Sequence, residues 1–365
     1  MNRFKLSRLT SNGRPRLVPR SSPSAALPKA RVRASAVGAA LCALMLVTSC
    51  AQTESKAPAK GVDKDVSKAL AGEGEVEFLI SDGLTENALQ SNLLAKVVNA
   101  LGGKAKLTPV SDYAVMSTAM SKSDNMIRTD FWRWQAPDIW NKYVEKEKSI
   151  VEIGTSDYPG EEGWYVPTYV IKGDKKRGIK PMCPGLPDWK ALNDCADVFA
   201  TAKTGKKGQY MEGAESWAPF YGDQQRIDNL DLNYKMVYAG SEPALMAELK
   251  RAYQRGEPWL GLMWRPNYAT QVMDLTRIEF PKYSTKCWGT TYACQWPETV
   301  IYTLGSSGLK EKHPTVWNLM QNYEMPAERL AEMQGYVVDD GMSFEDAAQK
   351  WMDENPDVWK AWAKS

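Results

Sequence analysis

Polar and apolar residues alternate from Glu75 to Ile80, which predicts a strand. The period then changes: Leu89, Leu93, Leu94, Val97, Val98 and Leu101 recur at helical spacing. Thr85 stands at the N-cap position of that helix and Gly102 stops it. A strand over 105–110, a helix from Asp112 to about Lys122 and a strand over 126–131 come next. The last of these, carried by Met126, Ile127 and Phe131, runs into Trp132. Pro137 then sits in the first turn of a helix reaching about Lys148. Strand–helix alternation of this kind predicts an α/β fold with a mostly parallel sheet and right-handed crossovers.

The stretch 161–170 is strand-like but contains Pro167, which makes it an edge strand or a crossover into a second lobe. Within that lobe the pattern predicts a helix over 188–200 and strands over 208–213 and 233–238. A helix opened by Ser241 and Pro243 is closed by Gly256, and a strand runs to Met263. A strand over 276–280 returns the chain to the first lobe. From Pro314 onward the pattern is helical, over 316–323, 326–333 and 343–353, with Ser343 and Asp346 at capping-box spacing. The expected division is 75–168 plus 268–365 for lobe I and 169–267 for lobe II, with hinge crossings near 166–170 and 265–270.

Three tryptophans stand at or just beyond the end of a strand: Trp132, Trp217 and Trp264. In open α/β sheets that end of the sheet is where ligands bind. The expectation is that these indoles face one cleft and hold a small organic cation. A quaternary ammonium has no N–H to donate, and an indole face offers negative quadrupole density together with apolar contact. Trp134 and Trp164 are further candidates, and Asp130 or Glu215 would add charge attraction. Arg133 and Arg265 come directly after two of the indoles and face either a ligand carboxylate or the opposite lobe. Of the 14 tryptophans, Trp140, Trp189, Trp317, Trp351, Trp359 and Trp362 lie in helical patterns and are expected to pack in or near the core.

The amino terminus changes the charge balance. Residues 1–49 carry nine basic and no acidic residues, then an apolar run from Ala34 to Val47. This is the layout of a secretory signal, too short in its apolar part to span a bilayer as a stable helix. Setting 1–49 aside leaves 37 basic residues against 44 acidic, a formal charge of −7. A basic nucleic-acid surface is therefore not indicated. Residues 50–74 read as a flexible tether. Cys183, Cys195, Cys287 and Cys294 are four cysteines in an exported chain. The local pairings Cys183–Cys195 and Cys287–Cys294 are favoured among the three possible. Zinc spacing is absent and His313 is the single histidine, so no metal or cofactor is expected. No nucleophile elbow or Walker loop is present.

Several stretches resemble substrate-binding proteins of ABC importers for quaternary ammonium compounds such as glycine betaine and choline. They are Ile80 through Leu101, Ser111-Asp112-Tyr113, Phe131-Trp132, Glu162 through Pro167, Ala214 through Trp217, and Leu262 through Tyr268. The resemblance implies a two-lobed periplasmic-binding-protein-like fold with a cleft between lobes. It also implies a cage role for Trp132, Trp217 and Trp264, with Tyr268 close to the last. Main-chain N–H groups at Trp217 and Ala218 would hold a ligand carboxylate. The implied partners are a membrane permease and its ATPase. Val47-Thr48-Ser49-Cys50 resembles a lipobox, which implies a lipid on Cys50 and anchoring at the outer face of the cell membrane. Two alternatives are a sugar receptor of an ABC importer and, further off, a lipid-anchored hydrolase with paired carboxylates.

Overall fold

A computed structural model describes residues 58–81, 85–110 and 112–364. The expected signal at 1–49 and the expected lipid site at Cys50 lie outside the described residues. The tether extends into them and is corrected there. Lys64–Gly72 is a helix whose N-cap, Asp63, accepts from the N–H groups of Asp65 and Val66, and Leu70 is buried. Leu70, with Val66 packed beside it, seats this helix on the core that also holds the helix Thr85–Ala100.

Nine strands form the sheet: β1 (Glu75–Ser81), β2 (Lys104–Val110), β3 (Met126–Trp132), β4 (Ile150–Pro167), β5 (Gly208–Glu212), β6 (Tyr234–Tyr238), β7 (Gly261–Arg265), β8 (Leu275–Arg277) and β9 (Thr299–Ser306). Their order is β2-β1-β3-β9-β4-β7-β5-β6, with β8 also on β4. The two flanks are parallel, as strand–helix alternation requires: β1 with β2 and β3, and β5 with β6 and β7. The middle is antiparallel, because β9 runs against β3 and β4, and β4 against β7 and β8. The result is a mixed α/β sheet in two halves joined through β4.

β4 is an 18-residue strand in the centre of the sheet, so the edge reading of Pro167 is corrected. Pro167 is its last residue, where a missing N–H is harmless. The pattern hid the first half of β4 because bulges at 152–154 and 155–159 break the two-residue period. β4 changes partner between Gly160, opposite Thr299 of β9, and Glu161, opposite Arg265 of β7. Strand pairing therefore passes between the halves there, and not at 166–170.

Thr85 is the first residue of the helix Thr85–Ala100 rather than its cap, and its N–H donates to Glu242 Oε2 at 3.1 Å. The predicted apolar face of that helix, Leu89 through Leu101, is buried. The predicted helix over 188–200 is only a 3₁₀ segment, Trp189–Cys195. The helix after Pro137 turns into a π-helix at Trp140–Lys146. Trp140, Trp317, Trp351, Trp359 and Trp362 are buried as expected. Ser343 caps the helix Phe344–Glu354 by accepting from the N–H of Asp346 at 3.0 Å. Among the described residues, no helix is long and apolar enough to cross a membrane.

Cys183–Cys195 and Cys287–Cys294 are disulfides that close loops of 12 and 7 residues. Replacing either pair by serines is expected to cost roughly 2–3 kcal/mol, the loop-closure entropy returned to the unfolded chain. Reversible urea unfolding of each double variant checks this. An unchanged midpoint would show that the loop is held by packing alone.

Candidate functional site

The carboxyl end of β3 carries the first part of the site. A bulge between Arg128 and Phe131 leaves Asp130 in the left-handed region at φ 58°, a conformation Asp tolerates better than most residues. Asp130 Oδ1 accepts from Trp132 Nε1 at 3.2 Å, so the strand end and its own indole are tied together. At the end of β7, Trp264 Nε1 donates to Glu86 Oε1 at 3.0 Å, linking the second half of the sheet to the first turn of the helix Thr85–Ala100. Trp217 closes the short helical turn Glu215–Trp217 after β5 and meets Trp264 edge-on, with centroids 5.9 Å apart at 75°.

Trp132, Trp217 and Trp264 line one cavity of about 240 Å³. Tyr113, Phe220 and Tyr221 add further aromatic wall, and Glu86, Asp130 and Glu162 add carboxylates. This room suits a small molecule.

The carboxylates are protonated more readily than usual. Glu162 is pushed up to about 8, because burial outweighs its hydrogen bonds from Tyr221 and Gln135. Its Oε1 accepts from Tyr221 Oη at 2.8 Å and from Gln135 Nε2 at 3.2 Å. Glu86 is raised to about 7, first by burial and then by the charge of Asp130. Its Oε1 also takes Asn267 Nδ2 at 3.1 Å and Gln334 Nε2 at 2.7 Å. Burial raises Asp130 as well, against the pull of Arg128. Arg128 is fully buried behind the wall, where its Nη1 donates to Ser81 Oγ at 2.7 Å and Asn87 Oδ1 at 2.9 Å.

Other sequence candidates lie elsewhere. Trp164 is fully buried in the core of the second half, stacked on Tyr210 at 4.0 Å and bonded to Asp223 Oδ1 at 2.8 Å. It shares a strand face with Glu162 but sits one pleat further from the cavity. Trp134 stands behind the wall, edge-on to Tyr221 and Trp288. Tyr268 lines a separate, much smaller cavity and bonds to Asp339. Ala218 is not on the cavity wall, and its N–H donates to Glu215 O, as Trp217 N–H does to Ala214 O at 2.9 Å. The local helical turn thus consumes both donors expected for a ligand carboxylate. Arg133 lies over Trp140 and pairs with Glu145, and Arg265 lies 5.8 Å from the Tyr165 ring.

Sequence reasoning missed Glu86, Glu162, Gln135 and Tyr221. Glu86 looks like any acidic residue in a first helical turn, and Glu162 like the polar member of an alternating strand. Tyr221, four residues after Trp217 on a short helix opened by Pro219, was the most legible of them.

Comparison with known proteins gives the site its family. Residues 79–354 match the family model for the substrate-binding domain of ABC-type glycine betaine transport systems. The chain is 34% identical over 285 residues to a trimethylamine N-oxide-binding protein of Pelagibacter ubique, covering 76% of this chain and 87% of that one. In fold it is similar to an ABC-transporter choline-binding protein solved with choline, at TM-score 0.56 and 20% identity over 79% of this chain and 91% of that one. It is also similar to lactococcal OpuAC solved with glycine betaine, at TM-score 0.58 and 17% identity over 80% of this chain and all of the other. The chain therefore belongs to the family of substrate-binding domains of ABC-type glycine betaine transport systems.

Proposed function

We propose that this protein captures trimethylamine N-oxide, with choline as a weaker ligand, and passes it to an ABC permease. The observation that carries this reading is the meeting of Trp132, Trp217 and Trp264 on one cavity that also holds the carboxylates of Glu86, Asp130 and Glu162. Three desolvated cation–π contacts supply about 6 kcal/mol, and each buried methyl adds about 0.8 kcal/mol. Micromolar binding needs about 8 kcal/mol, so a cage suffices where one indole would not.

The oxygen end selects among methylated ammonium compounds. A carboxylate would meet Glu86, Asp130 and Glu162, and the main-chain donors at Trp217 and Ala218 are already used. An N-oxide needs one donor, and a protonated Glu162 on the cavity wall supplies it. The Pelagibacter relative at 34% identity carries the same ligand in its name.

A calorimetric panel of trimethylamine N-oxide, choline, glycine betaine and carnitine tests the reading. The order should be as named, and tightest binding of glycine betaine would overturn it. A pH series separates the first two ligands. Affinity for the N-oxide should fall as pH rises through about 8, when Glu162 loses its proton. Affinity for choline should rise over the same range, because a cation gains from the new charge. Glu162→Gln should retain N-oxide binding and flatten its pH profile. Stability without ligand carries the same sign: Glu162 and Glu86 hold protons that the unfolded chain has released above their usual 4.5. Unfolding free energy should therefore fall as pH climbs from about 5 to 8 and then level off.

The lobes in this reading are 75–160 with 299–364, and 161–298. The cleft closes by hinge bending at Gly160–Glu161 and in the return segment before Thr299. Cys50 carries the lipid that holds the protein at the outer face of the membrane.

A further inference from the structure

Two of the cavity tryptophans lie on glycines. A β-carbon at Gly160 would stand 2.5 Å from Cζ3 and 2.8 Å from Cη2 of Trp132, and 2.8 Å from Cγ2 of Thr299. One at Gly213 would meet Cε3 and Cζ3 of Trp217 more closely still. Neither glycine has a positive φ, so the backbone at both positions is open to any residue and the reason for glycine is space. Gly154, earlier on β4, has open space where its β-carbon would be. Gly208 under Tyr234 and Gly261 under Trp259 repeat the contact inside the second half, away from the cavity.

We propose that Gly160 and Gly213 are positioning residues of the ligand site: bare backbone on which the Trp132 and Trp217 rings lie, setting the depth of the cage. This rests on reading the cavity as the ligand site. The indole edge cannot move past a β-carbon at these distances, because tightly packed side chains have no adjacent void to enter. An added methyl must lift the ring toward the cavity, shrinking it and tilting the π face from the ligand. Gly160 also stands where β4 changes partner, so the seat of Trp132 is carried by the backbone that joins the two halves. Lobe closure and the placement of this ring are thus one movement.

The test uses Gly160→Ala in a Thr299→Ser background, which removes the second clash and leaves only the indole in conflict. Binding of trimethylamine N-oxide should weaken about 30-fold, the worth of one desolvated cation–π contact. In Trp132→Phe protein, whose shorter ring lacks the clashing atoms, the same change should cost less than about threefold, as expected when two residues act through one contact. Gly154→Ala should leave affinity unchanged. Fluorine NMR of 5-fluorotryptophan-labelled protein without ligand supplies a separate readout. The Trp132 resonance, assigned by its loss in Trp132→Phe, should shift in Gly160→Ala and stay put in Gly154→Ala. An unmoved resonance with unchanged affinity overturns the proposal, as does an equal loss of affinity in the Trp132→Phe background. If wild-type protein binds no methylated ammonium compound, the cavity reading fails while the fluorine shift still decides the seat. Should Gly160→Ala not fold, Gly213→Ala with Trp217→Phe runs the same cycle on the second ring.

Discussion

Trp264→Ala is expected to weaken binding of trimethylamine N-oxide by about 100-fold, more than any other single change in the proposed cage. One desolvated cation–π contact accounts for about 2 kcal/mol. Trp264 is also the edge-on partner of Trp217, and an aromatic pair of that geometry contributes about 1 kcal/mol beyond burial. Its loss frees the Trp217 ring to leave the ligand. The same substitution removes the indole N–H that Glu86 accepts and opens a void in a site only 6% exposed. Trp264→Phe separates these effects, since it keeps a π face and loses the donor to Glu86. It should cost about tenfold or less, the net worth of one ordinary hydrogen bond. Calorimetry at fixed pH on both variants gives the comparison. A folded Trp264→Ala protein that binds within threefold of wild type would remove Trp264 from the cage.

The largest effect on stability should come from Arg226→Met, a loss of about 3–5 kcal/mol, because one partner of a buried ion pair is removed. Arg226 and Asp223 are both fully buried and bonded to each other. The guanidinium also lies 3.6 Å from the centre of the Trp296 ring and donates to Cys294 O at 3.2 Å, which ties it to the Cys287–Cys294 loop. Asp223 in turn accepts from Trp164 Nε1 and Tyr210 Oη, each at 2.8 Å. Arg226→Met leaves that carboxylate uncompensated in the core, beside Glu212, which burial already pushes well above its ordinary range. Adding Asp223→Asn should recover most of the loss, since the stranded charge is then gone. Urea unfolding of the single and double variants measures both steps, and a single variant within about 1 kcal/mol of wild type would contradict this account of the core.

The same network explains why Trp164 could not be told from a ligand residue in advance. It comes after Glu162 on an alternating strand and carries an N–H that wants a partner, as a cage residue would. Its partner turned out to be Asp223, 59 residues away, and no local pattern announces that contact. Tyr268 is a similar case: it lies four residues past Trp264, yet the turn through Asn267, which caps the next helix, sends it toward Asp339. The first half of β4 was lost for a different reason. Each inserted residue flips the alternation, and the period that identifies a strand disappears.

Local periodicity and chain chemistry by themselves determined the parallel flanks of the sheet, the buried face of the helix Thr85–Ala100 and the three strand-end tryptophans, and they favoured the two local disulfide pairings among the three possible. Those properties depend on neighbours a few residues apart. Only the tertiary structure decided that β4 and β9 cross the middle antiparallel, that Trp132, Trp217 and Trp264 share a cavity, and that Glu86 and Glu162 stand among them. Each of these rests on groups that are distant in the chain and on the desolvation they impose on one another. Burial acts through three dimensions, and a carboxylate becomes a donor only after the fold has taken its water away.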